Sequence, residues 1–240
     1  MDIKKFTRPA RKLLPLRYCA AVIVAAGNAT RMGGIDKALA PLGGKPTLQR
    51  TVEIFQNSDV IKEIVVVTRE DLLMQVTGLC KHMDKVRAVV TGGKDRQESV
   101  NAGLNALSSK VKLVAIHDGA RPLVTWELID RTVRAANSFG AAAPAIPVKD
   151  TIKEAQGGIV VSTPDRSRLQ AVQTPQVFDF DLLRAAMKHV RQNGLQVTDD
   201  CSAVEQLGMH VKLVVGDEKN LKITTPLDLK IAEMLLEETQ

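Results

Sequence analysis

Ala20-Ala21-Val22-Ile23-Val24-Ala25-Ala26-Gly27-Asn28-Ala29-Thr30-Arg31-Met32-Gly33-Gly34-Ile35-Asp36-Lys37 is the most informative stretch of this chain. Its first half, Ala20 to Val24, is an apolar run that reads as a buried strand. The strand empties into a glycine-rich turn carrying Arg31 and Lys37. Glycines let backbone N–H groups come close to an anion, and the two side chains add charge that the backbone lacks. Such a turn suits a polyphosphate. Spacing excludes two familiar phosphate loops. The pattern G-x-x-x-x-G-K-[ST] does not occur, and Gly27 is followed by Asn28 and Ala29, which breaks the G-x-G-x-x-G fingerprint. On this stretch alone, a solvated turn with two surface cations remains an equal alternative.

Outward from that strand, apolar runs alternate with helical patterns. Strands are expected at Ala20–Val24, Ile64–Thr68, Val86–Val90, Leu113–His117, Ala142–Val148 and Val211–Val215. Between them, Leu48, Val52 and Phe55 share a helix face, as do Leu73, Val76 and Cys80, and Val100, Leu104 and Leu107. Leu128, Ile129 and Val133 mark another helix, and Leu182, Ala186 and Val190 a further one. Pro226 fits the first position of a final helix. Near-continuous apolar strands separated by helices imply an α/β domain with a mainly parallel sheet covered on both faces. Ligands on such sheets bind outside the carboxyl ends of the strands, which is where the Gly27 turn falls. One segment breaks the alternation. Residues 151–155 and 159–162, joined through Gln156-Gly157-Gly158, read as a β-hairpin. A lone two-stranded hairpin is marginal in water, so it must rest on its own domain or on another subunit.

Length and charge bound the class. At 240 residues one α/β domain buries about 70–75% of its unfolded surface. The net charge of +6 is concentrated in the first 17 residues, where Lys4, Lys5, Arg8, Arg11, Lys12 and Arg17 face Asp2 alone. The remainder is nearly neutral, which argues against a nucleic-acid partner for the folded body. Residues 1–17 are therefore expected to be a basic, disordered leader, and 18–240 the folded domain. No apolar run approaches a secretory signal or a membrane span, so a membrane partner is not expected. Cys19, Cys80 and Cys201 form no zinc or C-x-x-C pattern, and reduced thiols in a cytoplasmic protein are the simplest account. His82, His117, His189 and His210 contain no H-x-x-x-H pair, so no protein metal cage is expected.

Four further stretches carry chemistry. Gly92-Gly93-Lys94-Asp95-Arg96-Gln97-Glu98-Ser99 follows a strand and opens a helix. Helix N-termini favour anions, and Ser99 is expected to cap the helix or to touch a ligand. His117-Asp118-Gly119-Ala120-Arg121-Pro122 places an Asp and an Arg in one sharp turn, suited to a hydroxyl and an anion side by side or to a structural ion pair. In Thr198-Asp199-Asp200, Thr198 reads as an N-cap. In Asn220-Leu221-Lys222, Lys222 by itself reads as a surface lysine.

In order and spacing, these stretches resemble the 2-C-methyl-D-erythritol 4-phosphate cytidylyltransferase family. The matching segments are Ala25-Ala26-Gly27 through Arg31-Met32-Gly33, His117 to Pro122, Pro147-Val148-Lys149-Asp150-Thr151, Gln173-Thr174-Pro175-Gln176, Thr198-Asp199-Asp200 and Asn220-Leu221-Lys222-Ile223-Thr224. The likeness runs over residues 20–238 and leaves out the leader. It implies a Rossmann-like nucleotidyltransferase fold, a homodimer, and transfer of CMP from CTP to a polyol phosphate. It also implies Mg2+ held mainly by the CTP phosphates. By the same resemblance, Ala25, Ala26, Gly27, Gly93 and Ser99 bind the nucleotide, while Arg31, Lys37 and Lys222 are the catalytic cations on the triphosphate. Asp118, Arg121 and Thr198 line the polyol phosphate pocket. The hairpin, at about 148–168, becomes a dimerisation arm that lends Thr151 and Arg166 to the partner's site.

The chain departs from the family where Ala38 and Leu39 follow Lys37, a local likeness to molybdopterin guanylyltransferases, and where Lys94 stands at a commonly acidic position. The downstream motifs disfavour a guanylyltransferase. Gly119-Ala120 and Ser202-Ala203 disfavour a ribitol-5-phosphate cytidylyltransferase. A non-catalytic nucleotide-binding regulator would have lost phosphate-directed cations, whereas Arg31, Lys37, Arg121, Arg166 and Lys222 are all present.

Overall fold

A computed structural model describes residues 15–27 and 36–238. Arg31 and residues 1–14 of the expected leader lie outside the described residues. In chain order the strands are β1 (Cys19–Ala25), β2 (Pro41–Leu42), β3 (Lys45–Pro46), β4 (Ile61–Thr68), β5 (Val86–Thr91), β6 (Leu113–Asp118), β7 (Ala141–Pro147), β8 (Glu154–Gln156), β9 (Ile159–Ser162), β10 (Gln170–Val172), β11 (Gln176–Asp179) and β12 (Lys212–Val215). The α-helices are α1 (Thr47–Asn57), α2 (Leu73–Leu79), α3 (Arg96–Ala106), α4 (Trp126–Phe139), α5 (Phe180–Gln192), α6 (Asp200–Glu205) and α7 (Pro226–Glu237).

The central sheet runs β10, β7, β11, β6, β1, β4, β5, with β12 also paired to β7. The pairings of β1 with β4 and β6, of β4 with β5, and of β7 with β12 are parallel, as the apolar runs imply. Period-two alternation covers both faces. Ala21, Ile23, Ile64 and Val66 face α1, α2 and α4 through Leu48, Phe55, Val76 and Ile129. Val22, Val65, Val67 and Val114 face α3, α5 and α6 through Leu104, Leu183, Val190 and Val204.

Besides the short β2, β3 and β10, one strand central to the sheet was not expected from the sequence. β11 lies antiparallel between β6 and β7, with Val177 opposite Ala115 on one side and Ala142 on the other. Its apolar stretch is too short to stand out. Because β11 opposes both neighbours, β6 and β7 still point the same way. β10 continues the antiparallel pairing along β7.

Local signals place the helix ends. Thr125 caps α4 by accepting from the Leu128 N–H at 3.3 Å, and Gly140, at φ +93°, closes that helix in the left-handed region. Pro226 opens α7 as expected, behind a Thr225–Asp228 capping box. Gly157 and Gly158, at φ +58° and +80°, form the turn between β8 and β9. That hairpin pairs with no other strand among the described residues and exposes Ile159, Val160 and Val161.

The expected leader boundary at residue 17 moves inward. Arg17 forms an ion pair with Asp179 at 2.7 Å and donates from Nε to the Asn137 side chain at 3.0 Å, while Leu16 packs against the core. These bonds tie the entry to β1 to the end of α4 and the start of α5. Arg17→Ala is expected to lower unfolding free energy by about 1–2 kcal/mol, the scale of a part-buried charge-assisted bond, in urea titration. Deleting residues 1–14 while keeping Arg17 is expected to leave turnover intact.

Candidate functional site

The carboxyl ends of β1, β4, β5 and β6 open onto one cleft of about 540 Å³. The Gly92 N–H extends the β5 ladder to Thr68 O at 2.8 Å, and the Gly119 N–H extends that of β6 to Val24 O at 2.9 Å. Both turns need glycine. A Cβ on Gly92 would overlap the Ala26 methyl, and one on Gly119 would come within 3.0 Å of the Ala25 Cβ. The backbone at Ala25, Ala26, Gly27 and Gly93 therefore forms a close-set wall, with the N-terminus of α3 behind it.

Asp95, and not Ser99, caps α3, accepting from the Glu98 N–H at 2.8 Å. Ser99 lies within the helix because the cap falls four residues earlier, at Asp95. Its hydroxyl accepts from the Gly93 N–H at 3.2 Å and donates to Asp95 O at 2.8 Å. Ser99 thus shapes the glycine turn and lines the cleft.

The cleft floor centres on Asp118, the last residue of β6, which is buried. One carboxylate oxygen meets Arg96 Nη1 at 2.7 Å and the other meets Lys222 Nζ at 2.7 Å. Burial opposes ionisation of this carboxyl, but Arg96 and Lys222 outweigh it and hold it well below the usual carboxylate range. Arg96 also reaches Asp200 at 2.8 Å. Asp200 is fully enclosed and shares this single arginine among the described residues, and burial pushes its carboxyl upward.

Lys222 comes from the far end of the chain. Ile223 N donates to Ala120 O at 2.8 Å, Arg121 Nη1 to Asn220 O at 2.6 Å, and Asn220 Nδ2 to Thr174 O at 2.9 Å. These bonds lay residues 220–223 along the turn that follows β6.

His117 is fully buried against the Phe55 ring and is not a proton-transfer group. Thr174 Oγ1 accepts from the Asp118 N–H, which leaves its proton for His117 Nδ1, and Nε2–H then points to Arg121 O at 3.3 Å. Burial pushes the imidazole down from 6.5 to about 3, so it stays neutral.

Lys37 also lines the cleft, and a Cβ on Gly27 would lie 3.4 Å from its Nζ. Of the expected site residues, the structure brings together Ala25, Ala26, Gly27, Lys37, Gly93, Ser99, Asp118 and Lys222. Arg121 is turned away onto Asn220, with its Nε 3.9 Å from Asp118. Thr198 is exposed and does not cap α6; Asp199 does, because its carboxylate reaches the Ser202 N–H at 2.8 Å. Thr151 is exposed at the base of the hairpin, where Arg166 donates to Lys149 O at 2.6 Å beside an open hollow of about 680 Å³.

Sequence reasoning missed two cleft cations, Arg96 and Arg69. Arg96 sits inside a quoted motif, and its offset of about one helical turn from Ser99 was the available signal. Arg69 directly follows β4, a position that the carboxyl-end rule itself singles out. Among the described residues no group of three or more His, Cys, Asp or Glu side chains converges on a metal-sized point. Both Asp118 oxygens are already taken by cations, so the donors do not fit a protein-held magnesium ion.

The family model for 2-C-methyl-D-erythritol 4-phosphate cytidylyltransferase matches residues 19–238. The enzyme of that name from Symbiobacterium thermophilum is 45% identical over 221 residues, covering 91% of this chain and 93% of that protein. The one from Caldanaerobacter subterraneus is 46% identical over 222 residues, covering 90% and 98%. The crystal structure of 4-diphosphocytidyl-2C-methyl-D-erythritol synthase from Anaerococcus prevotii superposes with a TM-score of 0.83 at 32% identity, covering 92% of this chain and 96% of that one.

The neutral His117 has a measurable consequence. Its folded pKa lies below its unfolded one, so the unfolded chain binds the extra proton between pH 6.5 and about 3. Stability should therefore fall as pH drops through that window, by about 1.4 kcal/mol per unit from this group. Urea unfolding across pH 7 to 4 is expected to show a shallower slope in His117→Gln than in wild type. Parallel curves would show that His117 titrates normally in the fold.

Proposed function

The chain belongs to the 2-C-methyl-D-erythritol 4-phosphate cytidylyltransferase family, and from that membership we infer that it transfers CMP from CTP to 2-C-methyl-D-erythritol 4-phosphate. The products are pyrophosphate and 4-diphosphocytidyl-2-C-methyl-D-erythritol, in non-mevalonate isoprenoid biosynthesis. The observation that carries this reading is the Asp118–Lys222 pair at 2.7 Å, which presents an ammonium at the mouth of a glycine-walled cleft.

A phosphate oxygen of the substrate attacks the α-phosphorus of CTP in line, and the bond to the pyrophosphate oxygen breaks. A phosphate monoester is already anionic at neutral pH and needs no general base. The enclosed, neutral His117 accords with this. Catalysis then rests on positioning and on cations at the phosphates. In this reading Lys37 and Lys222, with Arg31, hold the triphosphate. The backbone from Ala25 to Gly27, Gly93 and Ser99 receives the nucleoside. Magnesium would neutralise the triphosphate, riding on its oxygens.

In this reading the polyol phosphate lies on the Asp118 side of the cleft, Arg121 and Thr198 turn towards it when it binds, and Thr151 and Arg166 of a second copy complete the site. The unsupported hairpin, with Ile159, Val160 and Val161 exposed, favours such a homodimer. The free thiols of Cys19, Cys80 and Cys201 agree with a cytoplasmic setting. No helix among the described residues is long and apolar enough to cross a membrane.

Pyrophosphate release with CTP is expected to be far faster with 2-C-methyl-D-erythritol 4-phosphate than with ribitol 5-phosphate. The reverse order would overturn the substrate assignment. Lys222→Ala is expected to reduce turnover by ~10²-fold or more, the effect of losing one electrostatic stabiliser, without changing the fold by circular dichroism.

Arg166 is expected to act in trans. Arg166→Ala should impair use of the polyol phosphate far more than CTP binding. Mixed with a Lys222→Ala variant, it should recover activity towards roughly one quarter of the wild-type level, since random exchange leaves half the dimers with one intact site. Verified subunit exchange without recovery would place Arg166 in its own subunit's site.

A further inference from the structure

We propose that Arg69 is a positioning residue for nucleotide transfer, anchoring through Asp36 the turn that aims Lys37 into the cleft. The inference rests on the reading of this cleft as the CTP site. Asp36 builds the turn almost by itself. Its Oδ1 accepts from the Ala38 N–H at 2.8 Å, and its carbonyl accepts from the N–H groups of Leu39 at 3.1 Å and Ala40 at 2.8 Å. On its far side the turn is docked onto α1: Leu48 N donates to Ala38 O at 2.9 Å, and Thr47 Oγ1 to Ala40 O at 2.9 Å.

On the near side the anchor is Arg69. Its Nη1 donates to Asp36 Oδ2 at 2.6 Å. Its Nε and Nη2 grip Asp71 in bidentate fashion at 3.0 and 2.9 Å. A planar guanidinium held by a fork has one orientation, so its remaining corner fixes the position of Asp36. Lys37 lies between the two anchors, with its Nζ beside Gly27 at the end of β1. Arg69 spends these donors on protein carboxylates, which suits it to position a neighbour instead of binding phosphate. A lysine at position 69 could neutralise Asp36 but could not reproduce the fork.

The test is a mutant cycle read in steady-state kinetics. Arg69→Ala is expected to raise KM for CTP about ten-fold, the scale of losing one charge-assisted anchor, and to leave KM for the polyol phosphate unchanged. Arg69→Lys is expected to fall between the two. In a Lys37→Ala background, Arg69→Ala should add less than about two-fold, because the group it positions is gone. An equal loss in both backgrounds, or an unchanged KM for CTP, would overturn the proposal. Should Arg69→Ala fail to fold, Asp36→Asn keeps the Oδ1 acceptor but removes the charge that Arg69 holds, and it must reproduce the rise in KM for CTP. If the wild-type protein does not turn over CTP at all, the functional reading has failed. Equilibrium binding of CTP to the same variants then decides the proposal separately.

Discussion

The structure depends on one buried carboxylate. Asp118 ends a central strand almost wholly buried, and it stays ionised because Arg96 and Lys222 each grip one oxygen. Those cations bring their own elements with them. Arg96 fixes the first turn of α3 and, through Asp200, the start of α6. Lys222 fixes the segment before α7. Losing both cations would strand the Asp118 charge in low dielectric, which costs far more than a surface pair contributes. The cluster is also unbalanced: Arg96, Arg121 and Lys222 face Asp118 and Asp200. Of these cations Arg96 and Lys222 line the cleft, where they can meet an anion.

The sheet serves this cluster in a way that a fully parallel sheet would not. β11 runs against its neighbours, so the segment that enters it arrives at the carboxyl end of β6. There Thr174 satisfies both the Asp118 N–H and His117, while Gln173 pairs with Asp217 and Asn220. The antiparallel strand therefore supplies the polar partners that the end of a buried parallel strand lacks.

Much of this was legible in the residues. Apolar runs gave the strands, and the period of Leu48, Val52 and Phe55, or of Leu182, Ala186 and Val190, gave the helices, because burial on two faces leaves that pattern in the chain. The glycine turns were legible because only glycine permits such close approach. What stayed hidden was partnership. Arg17, counted with a basic leader, is a structural residue because Asp179 and Asn137 await it more than a hundred positions away. Arg96 and Arg69 look like ordinary surface arginines until the strand ends are brought together. Ser99 and Thr198 resemble caps, yet Asp95 and Asp199 take those positions by offering a carboxylate where a hydroxyl was expected. β11 was invisible because pairing on both edges, and not its own apolar content, makes it a strand.

The tethering of residues 220–223 to the turn after β6 also bears on how the protein is made. Chains emerge from the ribosome amino end first, at about 5–20 residues per second. β1, β4, β5 and β6 can pair well before Lys222 exists, but until it arrives the cations at Asp118 among the described residues are Arg96 at 2.7 Å and the more distant Arg121 at 3.9 Å. A nascent chain stopped short of Asn220 would hold most of the sheet and most of the cleft wall but would lack the Lys222 ammonium. The cation that completes the cleft is thus made last among its lining residues, after the glycine wall and the end of β6 are already in place.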